Sequence, residues 1–537
     1  MHEAAAVEAP NPRLSSVATA RVSVSTLAEI SLVIASALLL ILSFPDFDLW
    51  PLAWIGLVPL LLAVGRPLPA RRAFLLGWLW GAIFFYGTCW WLTYPMIHYA
   101  HLSGWLAYPL LVLPIALVAL FPALFSLLLN RLVAFFGPIV MLAAPLLWVT
   151  CELGRYSLTG QLWNALGYSQ GFHPFLIQSA RWGGVYAVSF LLVSASAAVA
   201  FVLLRADIRA LLPALASALL IVLVVAAGTL SRSQDPSGNG SLAVIAVQPN
   251  VPIEGPDDTE RLLNRHLELS TQGMPDVPDD VGLERLVIWP ESPMNFSYSR
   301  DPHLRDVVGS FARKYSQRLH TFVLLNSLEP AADGGEHNSA LMVNEEGRIV
   351  AQYDKIRLMP FGEYVPLPHW LPGASSVRGI VGDFTPGSSY TLMPLGAFRV
   401  GVFICIEAAH PAVARGFARE SADLLINISN DGYLGPTPVM RQHLSNAVFR
   451  AVENGRPLIR VTNSGITAFI GPDGQLSDTT RAFEPAVRSR YVSASKGATF
   501  YTRYGDIFVY ACALISLGLI AATFSTRRRH TVSEVRP

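Results

Sequence analysis

Seven apolar runs, each near the length needed to cross about 30 Å of hydrocarbon, follow one another at residues 27–45, 49–65, 73–96, 104–129, 133–152, 183–204 and 210–230, and an eighth lies at 505–525. The pattern predicts seven membrane-spanning helices, a long polar insert and one final helix. The insert, residues 232–503, has the size of one large domain, with short polar tails at 1–26 and 527–537. Composition agrees: 52% of the 537 residues are hydrophobic and 14% charged, too apolar for an ordinary soluble protein. The first run has the length of a signal-peptide core, but six more follow it and no small-residue cleavage site is clear.

The short loops give an orientation. Arg66, Arg71 and Arg72 fall between the second and third runs, Arg131 between the fourth and fifth, Arg205 and Arg209 between the sixth and seventh, and Arg527, Arg528 and Arg529 after the last. The alternate loops carry Asp46 and Asp48, or His98 and His101. Positive charge stays on the cytoplasmic side, so both termini are expected there. The insert is then expected on the outer face, which in a bacterium is the periplasm. A net charge of +1 argues against a nucleic-acid binder, since no large basic face is implied.

One outer loop is not a plain linker. CELGRYSLTGQLWNALGYSQGFHP, Cys151 to Pro174, is rich in Gly, aromatic and amide residues. Trp163 and Tyr168 fit an interfacial anchor or a contact to substrate, and spacing alone does not separate the two.

Within the insert, β-branched and aliphatic runs at Leu242–Val247, Leu286–Trp289, Thr321–Leu325, Ala340–Val343, Arg399–Cys405, Leu424–Ile428, Leu458–Val461 and Ile466–Ile470 alternate with helix-like stretches such as 301–319 and 438–454. With hairpin signals at Glu346-Gly347 and Asp473-Gly474, this predicts an α/β domain of layered αββα form. Four cysteines, Cys89, Cys151, Cys405 and Cys512, show neither metal-ligand spacing nor a dense disulfide pattern. Cys405 alone lies in the polar insert.

Three strand ends carry reactive residues: Glu291 in VIWPESP, Lys355 and Glu363 in YDKIRLMPFGEYVP, and Cys405 in GVFICIEAAHP. Each has a bland reading by itself: a solvated turn glutamate, a surface Asp-Lys pair of little value, a small buried thiol. His410 offers a Cys/His dyad, although its direction just before Pro411 is open. Taken together, a carboxylate to remove the thiol proton and an ammonium to hold the thiolate and then the oxyanion suffice for acyl transfer through a thioester.

WPES, YDK followed by PFGEYVP, ICIE and SNDGYLG, in this order with ENGRPLIRVTNSGITA after them, resemble the nitrilase superfamily with its Glu-Lys-Cys triad. The seven-plus-one membrane arrangement and the LTG...WNALGYSQ loop narrow the resemblance to the bacterial apolipoprotein N-acyltransferases, over roughly residues 27–525. It implies a nitrilase-like αββα sandwich on a multi-pass α-helical membrane domain. Glu291 is implied as general base, Lys355 as oxyanion stabiliser and Cys405 as nucleophile. Glu363 matches a supporting glutamate, Glu407 the glutamate two positions after the nucleophile, and Asn430 and Tyr433 lie in the SNDGYLG motif. Ile406 stands where the family often has Tyr, Gly432-Tyr433-Leu434 where Ala-Trp-Phe is common, and Gln161-Leu162 where Phe-Pro is common.

The resemblance further implies a phospholipid acyl donor, expected to be phosphatidylethanolamine, used at sn-1. The implied acceptor is the α-amino group of a lipoprotein's diacylglyceryl-cysteine. Neither metal nor diffusible cofactor is expected, and a monomer is. Leu358–Gly373 is expected to act as a lid that dips into lipid. Two rivals use the same sequence differently. A membrane-tethered nitrilase-type amidase acting on small amides has no use for seven helices. A transporter or receptor has no need of Glu291, Lys355 and Cys405 together and would carry more charge within its helices.

Overall fold

The computed structural model describes residues 26–232, 241–252, 259–276, 284–291, 296–316, 319–365, 383–495 and 497–533. Its first half is a helical bundle: α1 (Thr26–Ser43), α2 (Val58–Val64), α3 (Ala70–Cys89), α4 (Thr93–His98), α5 (Gly104–Val118), α6 (Leu120–Phe136), α7 (Ala144–Thr159), α8 (Ala180–Arg205) and α9 (Leu211–Arg232). Among the described residues, seven helical stretches are long and apolar enough to cross a membrane, six of them here and one at Ile507–Phe524.

Two expectations about the helices need correction. The 49–65 run is not one continuous helix but a 3₁₀ turn at Trp50–Trp54 and then α2. Pro51 and Pro59 each lack the N–H that a helix interior needs. Gly56 between them packs directly on Leu40 of α1. The broken segment still returns the chain across the bundle. Arg72 at the start of α3 pairs with Glu29 at 2.7 Å and bonds Thr26 at 2.8 Å, so α1 and α3 begin at one end, whereas Asp48, just after α1, meets the other domain. The second correction concerns Arg131, expected in a loop: it lies inside α6, which runs on to Gly137 at φ 78, a left-handed stop that suits glycine. Its guanidinium reaches Thr523 at 2.8 Å, as a long cationic side chain does near a helix end.

The second half is a sandwich of two six-stranded sheets. One has the order β12-β1-β2-β3-β4-β5 and the other β11-β10-β9-β8-β7-β6. The strands are β1 (Ser241–Gln248), β2 (Arg285–Ile288), β3 (Thr321–Pro330), β4 (Glu336–Val343), β5 (Ile349–Asp354), β6 (Leu392–Leu395), β7 (Phe398–Ile404), β8 (Leu424–Ser429), β9 (Leu458–Thr462), β10 (Ala468–Ile470), β11 (Leu476–Ser477) and β12 (Ala486–Ser493). Central strands β1, β2 and β8 are almost wholly buried, as strands covered on both faces must be. Helices α10 (Thr259–Gly273) and α11 (Pro302–Lys314) pack on the first sheet, α12 (Pro411–Arg419) and α13 (Val439–Asn454) on the second. The layered αββα form is therefore present. Both hairpin turns are too, with Gly347 and Gly474 at positive φ. A short α14 (Phe500–Tyr504) leads into the last apolar helix, α15 (Ile507–Ser533).

Helix α13 joins the halves. It is buried on every face, because the second sheet covers one side and the bundle the other. Arg441 pairs with Asp48, Gln442 takes the indole N–H groups of Trp91 and Trp163, Ser445 bonds the Tyr168 carbonyl, and Glu453 accepts from Val185 N of α8.

Candidate active site

Glu291 follows β2, Lys355 follows β5, and Cys405 follows β7, so three strand ends from both sheets deliver the expected triad to one place. Lys355 is buried, with its Nζ 2.8 Å from Glu363 Oε1 and 3.4 Å from Glu291 Oε1. Asn338 on β4 donates to both carboxylates, at 3.0 Å to Glu291 and 2.7 Å to Glu363. Met359 N donates to Glu363 Oε2 at 2.8 Å, and Asn430 N, from the end of β8, to Glu291 Oε2 at 3.0 Å. The ammonium thus sits between two carboxylates. Removing one member of such a buried set costs about 3–5 kcal/mol.

Cys405 opens a 3₁₀ turn with φ 52, a left-handed conformation uncommon for a residue with a side chain. It is a free cysteine, half-buried as a residue. Burial pushes the thiol above its ordinary value and the negative charge of Glu291 adds to this, with Lys355 opposing. Burial pulls the Lys355 ammonium down, but Glu291, Glu363 and Cys405 outweigh it and hold it above its usual value. The resting charges are therefore thiol and ammonium, and forming the thiolate needs a base that takes the thiol proton.

Glu407 has a different task. It is fully buried and takes Tyr353 OH at 2.8 Å, Ile356 N and Arg357 N at 2.9 Å each, and Ile404 N at 2.8 Å. It ties the chain after Lys355 to the chain before Cys405. Burial raises its pKa, and the backbone donors oppose that shift.

His410 does not form the dyad. Its ring is buried against Tyr156 at 6.2 Å, and burial followed by Arg357, Arg450 and Lys355 lowers its pKa to about 3. The histidine that touches Cys405 is His443, whose Nε2 lies 2.9 Å from the Cys405 carbonyl. Its Nδ1 lies 2.9 Å from Asp431, which pairs with Arg460 at 2.6 Å. Burial would raise the Asp431 carboxyl, but Arg460 and His443 hold it well below the usual range.

The remaining expected residues separate. Tyr433 is 46% exposed at the rim, its ring 5.5 Å from Tyr99 of the bundle. Asn430 Oδ1 caps the turn at Gly432 N. Trp163 and Tyr168 are both buried, which excludes the interfacial-anchor reading: Trp163 stands beside His443 with ring centroids 5.5 Å apart, and Tyr168 docks on Phe449 and Arg450 of α13. The expected lid, Leu358–Gly373, lies outside the described residues from 366 onward; its described part carries Phe361, 55% exposed. Sequence reasoning missed Asn338, Asn427, Gln442, His443 and Arg460. The one available signal was the density of polar side chains in strand and helix interiors.

A carboxylate, an ammonium and a thiol at strand ends of an αββα sandwich, seated on a membrane bundle, define a membrane-bound enzyme of the carbon-nitrogen hydrolase class. Residues 243–493 match the carbon-nitrogen hydrolase family model, and residues 36–198 match the apolipoprotein N-acyltransferase N-terminal domain. The chain is 35% identical to the apolipoprotein N-acyltransferase of Geobacter metallireducens over 93% of its own length and 95% of the relative's. It is 34% identical to those of Azotobacter vinelandii (91% and 93% covered) and Allorhizobium ampelinum (76% and 77%). The chain belongs to the apolipoprotein N-acyltransferase family.

Proposed function

We propose that the protein transfers an acyl chain from the sn-1 position of a phospholipid, through a thioester on Cys405, to the α-amino group of the N-terminal diacylglyceryl-cysteine of a lipoprotein. The observation that supports this best is the Glu291–Lys355–Glu363 set, its lysine buried, beside a half-buried, free Cys405, in a domain clamped to membrane helices. Glu291 takes the thiol proton as Sγ attacks the ester carbonyl. Lys355 holds the oxyanion, and collapse expels the sn-1 oxygen, which leaves as a lysophospholipid with the proton from Glu291. In the second half the lipoprotein amine attacks the thioester and gives its proton to Glu291. The amide forms, and the departing thiolate recovers that proton. Covalent catalysis thus divides one difficult transfer into two steps.

Membrane seating supports transfer over hydrolysis, because both substrates are anchored in the same bilayer and reach a high effective concentration. Phosphatidylethanolamine is the proposed donor. Both termini are proposed to be cytoplasmic, with the sandwich periplasmic: Arg66, Arg72 and Arg131 gather at the bundle end where α1 begins, opposite the sandwich. The amidase alternative is not favoured, since relatedness extends through the membrane half.

The test reconstitutes the protein in bilayers with phosphatidylethanolamine labelled in its sn-1 chain and a diacylglyceryl-cysteine lipopeptide. The expected products are labelled N-acyl lipopeptide and 2-acyl lysophospholipid. Free labelled fatty acid alone, with or without lipopeptide, would overturn the proposal and indicate a hydrolase.

A further inference from the structure

Gln442 and His443 are consecutive on α13, and consecutive helical positions point about 100° apart. Both are buried. One faces the bundle and the other faces Cys405.

Gln442 spends its whole bonding capacity on the bundle. Its Oε1 accepts from Trp91 Nε1 at 3.2 Å and Trp163 Nε1 at 2.8 Å, and its Nε2 donates to the carbonyls of Thr88 at 3.1 Å and Pro45 at 3.4 Å. An amide has two acceptor sites and two hydrogens, so nothing is left over. These partners come from three separate parts of the helical half: the chain after α1, the end of α3 with the turn after it, and the loop after α7.

His443 meets the Cys405 carbonyl, which can only accept, so Nε2 carries a proton. Asn427 Nδ2 reaches the same carbonyl at 3.4 Å and is bonded in turn to Arg460. Arg460 pairs with Asp431, and Asp431 with His443, which closes a ring of contacts around the Cys405 turn. That turn holds a non-glycine residue at φ 52, a conformation that persists only where its surroundings enforce it. The Trp163 ring packs on His443 as well, so the bundle touches both members of the pair.

We propose that Gln442 and His443 are positioning residues through which the membrane helices align the nucleophile: seating of the sandwich on the bundle fixes Gln442, and the same helix then holds the Cys405 carbonyl through His443. The inference rests on the reading of Cys405 as nucleophile. Its consequence is that thioester formation is matched to the seated state, the one in which both lipid-borne substrates have access.

The experiment uses full-length protein in nanodiscs containing phosphatidylethanolamine and follows the fatty-acyl adduct by intact mass at several phospholipid fractions, which separates the maximum acylation rate from half-saturation. Wild type is compared with Gln442→Leu, His443→Leu, His443→Gln and Trp163→Phe, with a melting curve for each. Gln442→Leu and His443→Leu are expected to lower the maximum rate by about 10- to 100-fold, the scale of a misplaced reacting group, with half-saturation changed by less than about threefold. His443→Gln, which keeps a donor near the place of Nε2, is expected to recover about tenfold of that loss. Where His443→Leu does not fold, Trp163→Phe decides the matter: removal of one donor to Gln442 is expected to slow acylation by about threefold or more. Folded His443→Leu and Gln442→Leu acylated at the wild-type rate would overturn the inference, as would His443→Gln no faster than a folded His443→Leu. A wild type without adduct, or an adduct that survives in Cys405→Ser, contradicts the nucleophile reading instead and is distinguishable from either result.

Discussion

Two charged clusters flank Cys405, and they differ in closure. On one side Glu291, Lys355 and Glu363 place two carboxylates on one ammonium, with 12% of the Glu291 side chain open to solvent. On the other, Asp431, Arg460 and His443 are sealed from solvent, as is Glu407 between the Lys355 and Cys405 turns; the carboxylates of both groups receive donors on both oxygens, so exposure is what separates them. A group that exchanges protons during a reaction needs an open side and a charge state that can change. A carboxylate sealed from solvent lacks the open side, and it fixes geometry. The proposed chemistry therefore falls to the first cluster and position to the second.

The comparison breaks most visibly at the half-open cluster. Glu291→Gln keeps the shape and removes the base, and acylation of Cys405 is expected to fall by about 10³-fold, within the range of general-base catalysis, with little change in melting temperature. Lys355→Met is expected to cost about 10²- to 10³-fold in the same assay, as loss of an oxyanion donor does. It should also destabilise the fold, because two carboxylates are left facing each other. At the sealed carboxylates the order of effects should reverse. Glu407→Gln turns an N–H₂ group toward backbone N–H donors, so the melting temperature should drop visibly for a loss of about 1–3 kcal/mol. Activity should follow only as the Cys405 turn loosens.

Acid should lower stability through a buried histidine. His410 titrates near 3 in the fold and at its ordinary 6.5 when unfolded. The unfolded chain therefore binds more protons between these values, so stability is complete above 6.5 and is lost as pH falls toward 3. His410→Gln should flatten this limb of a plot of melting temperature against pH. Asp431, held below its ordinary value, contributes stability that is complete above the unfolded carboxyl range and is lost only on stronger acidification. The smallest effect belongs to the rim: Tyr433→Phe keeps the ring against Tyr99 and is expected to change transfer by less than about threefold in the lipopeptide assay.

The open cluster was legible in the sequence because its members end apolar strand runs in recognisable motifs. The sealed cluster was not. Gln442 and His443 read as part of an unremarkable helix at 438–454, and only contact with the bundle makes that helix buried all round. His410, five residues from Cys405, attracted attention by proximity, whereas the fold selects His443, 38 positions away. Strand β12 escaped because AVRSRYVS places Arg488 and Arg490 within an edge strand, where an apolar run is not required. The break in the 49–65 run was written in Pro51, Gly56 and Pro59, yet hydropathy alone averages over them.

The central claim is that the open cluster makes Cys405 an acyl carrier. Intact mass spectrometry of the purified protein after incubation with phospholipid alone tests it most directly, with wild type beside Cys405→Ser and Glu291→Gln. A hydroxylamine-labile fatty-acyl adduct on Cys405 of the wild type, absent from Cys405→Ser and strongly reduced in Glu291→Gln, is the predicted result. No adduct from phospholipid presented in a bilayer, or an equal adduct in Cys405→Ser, would contradict it.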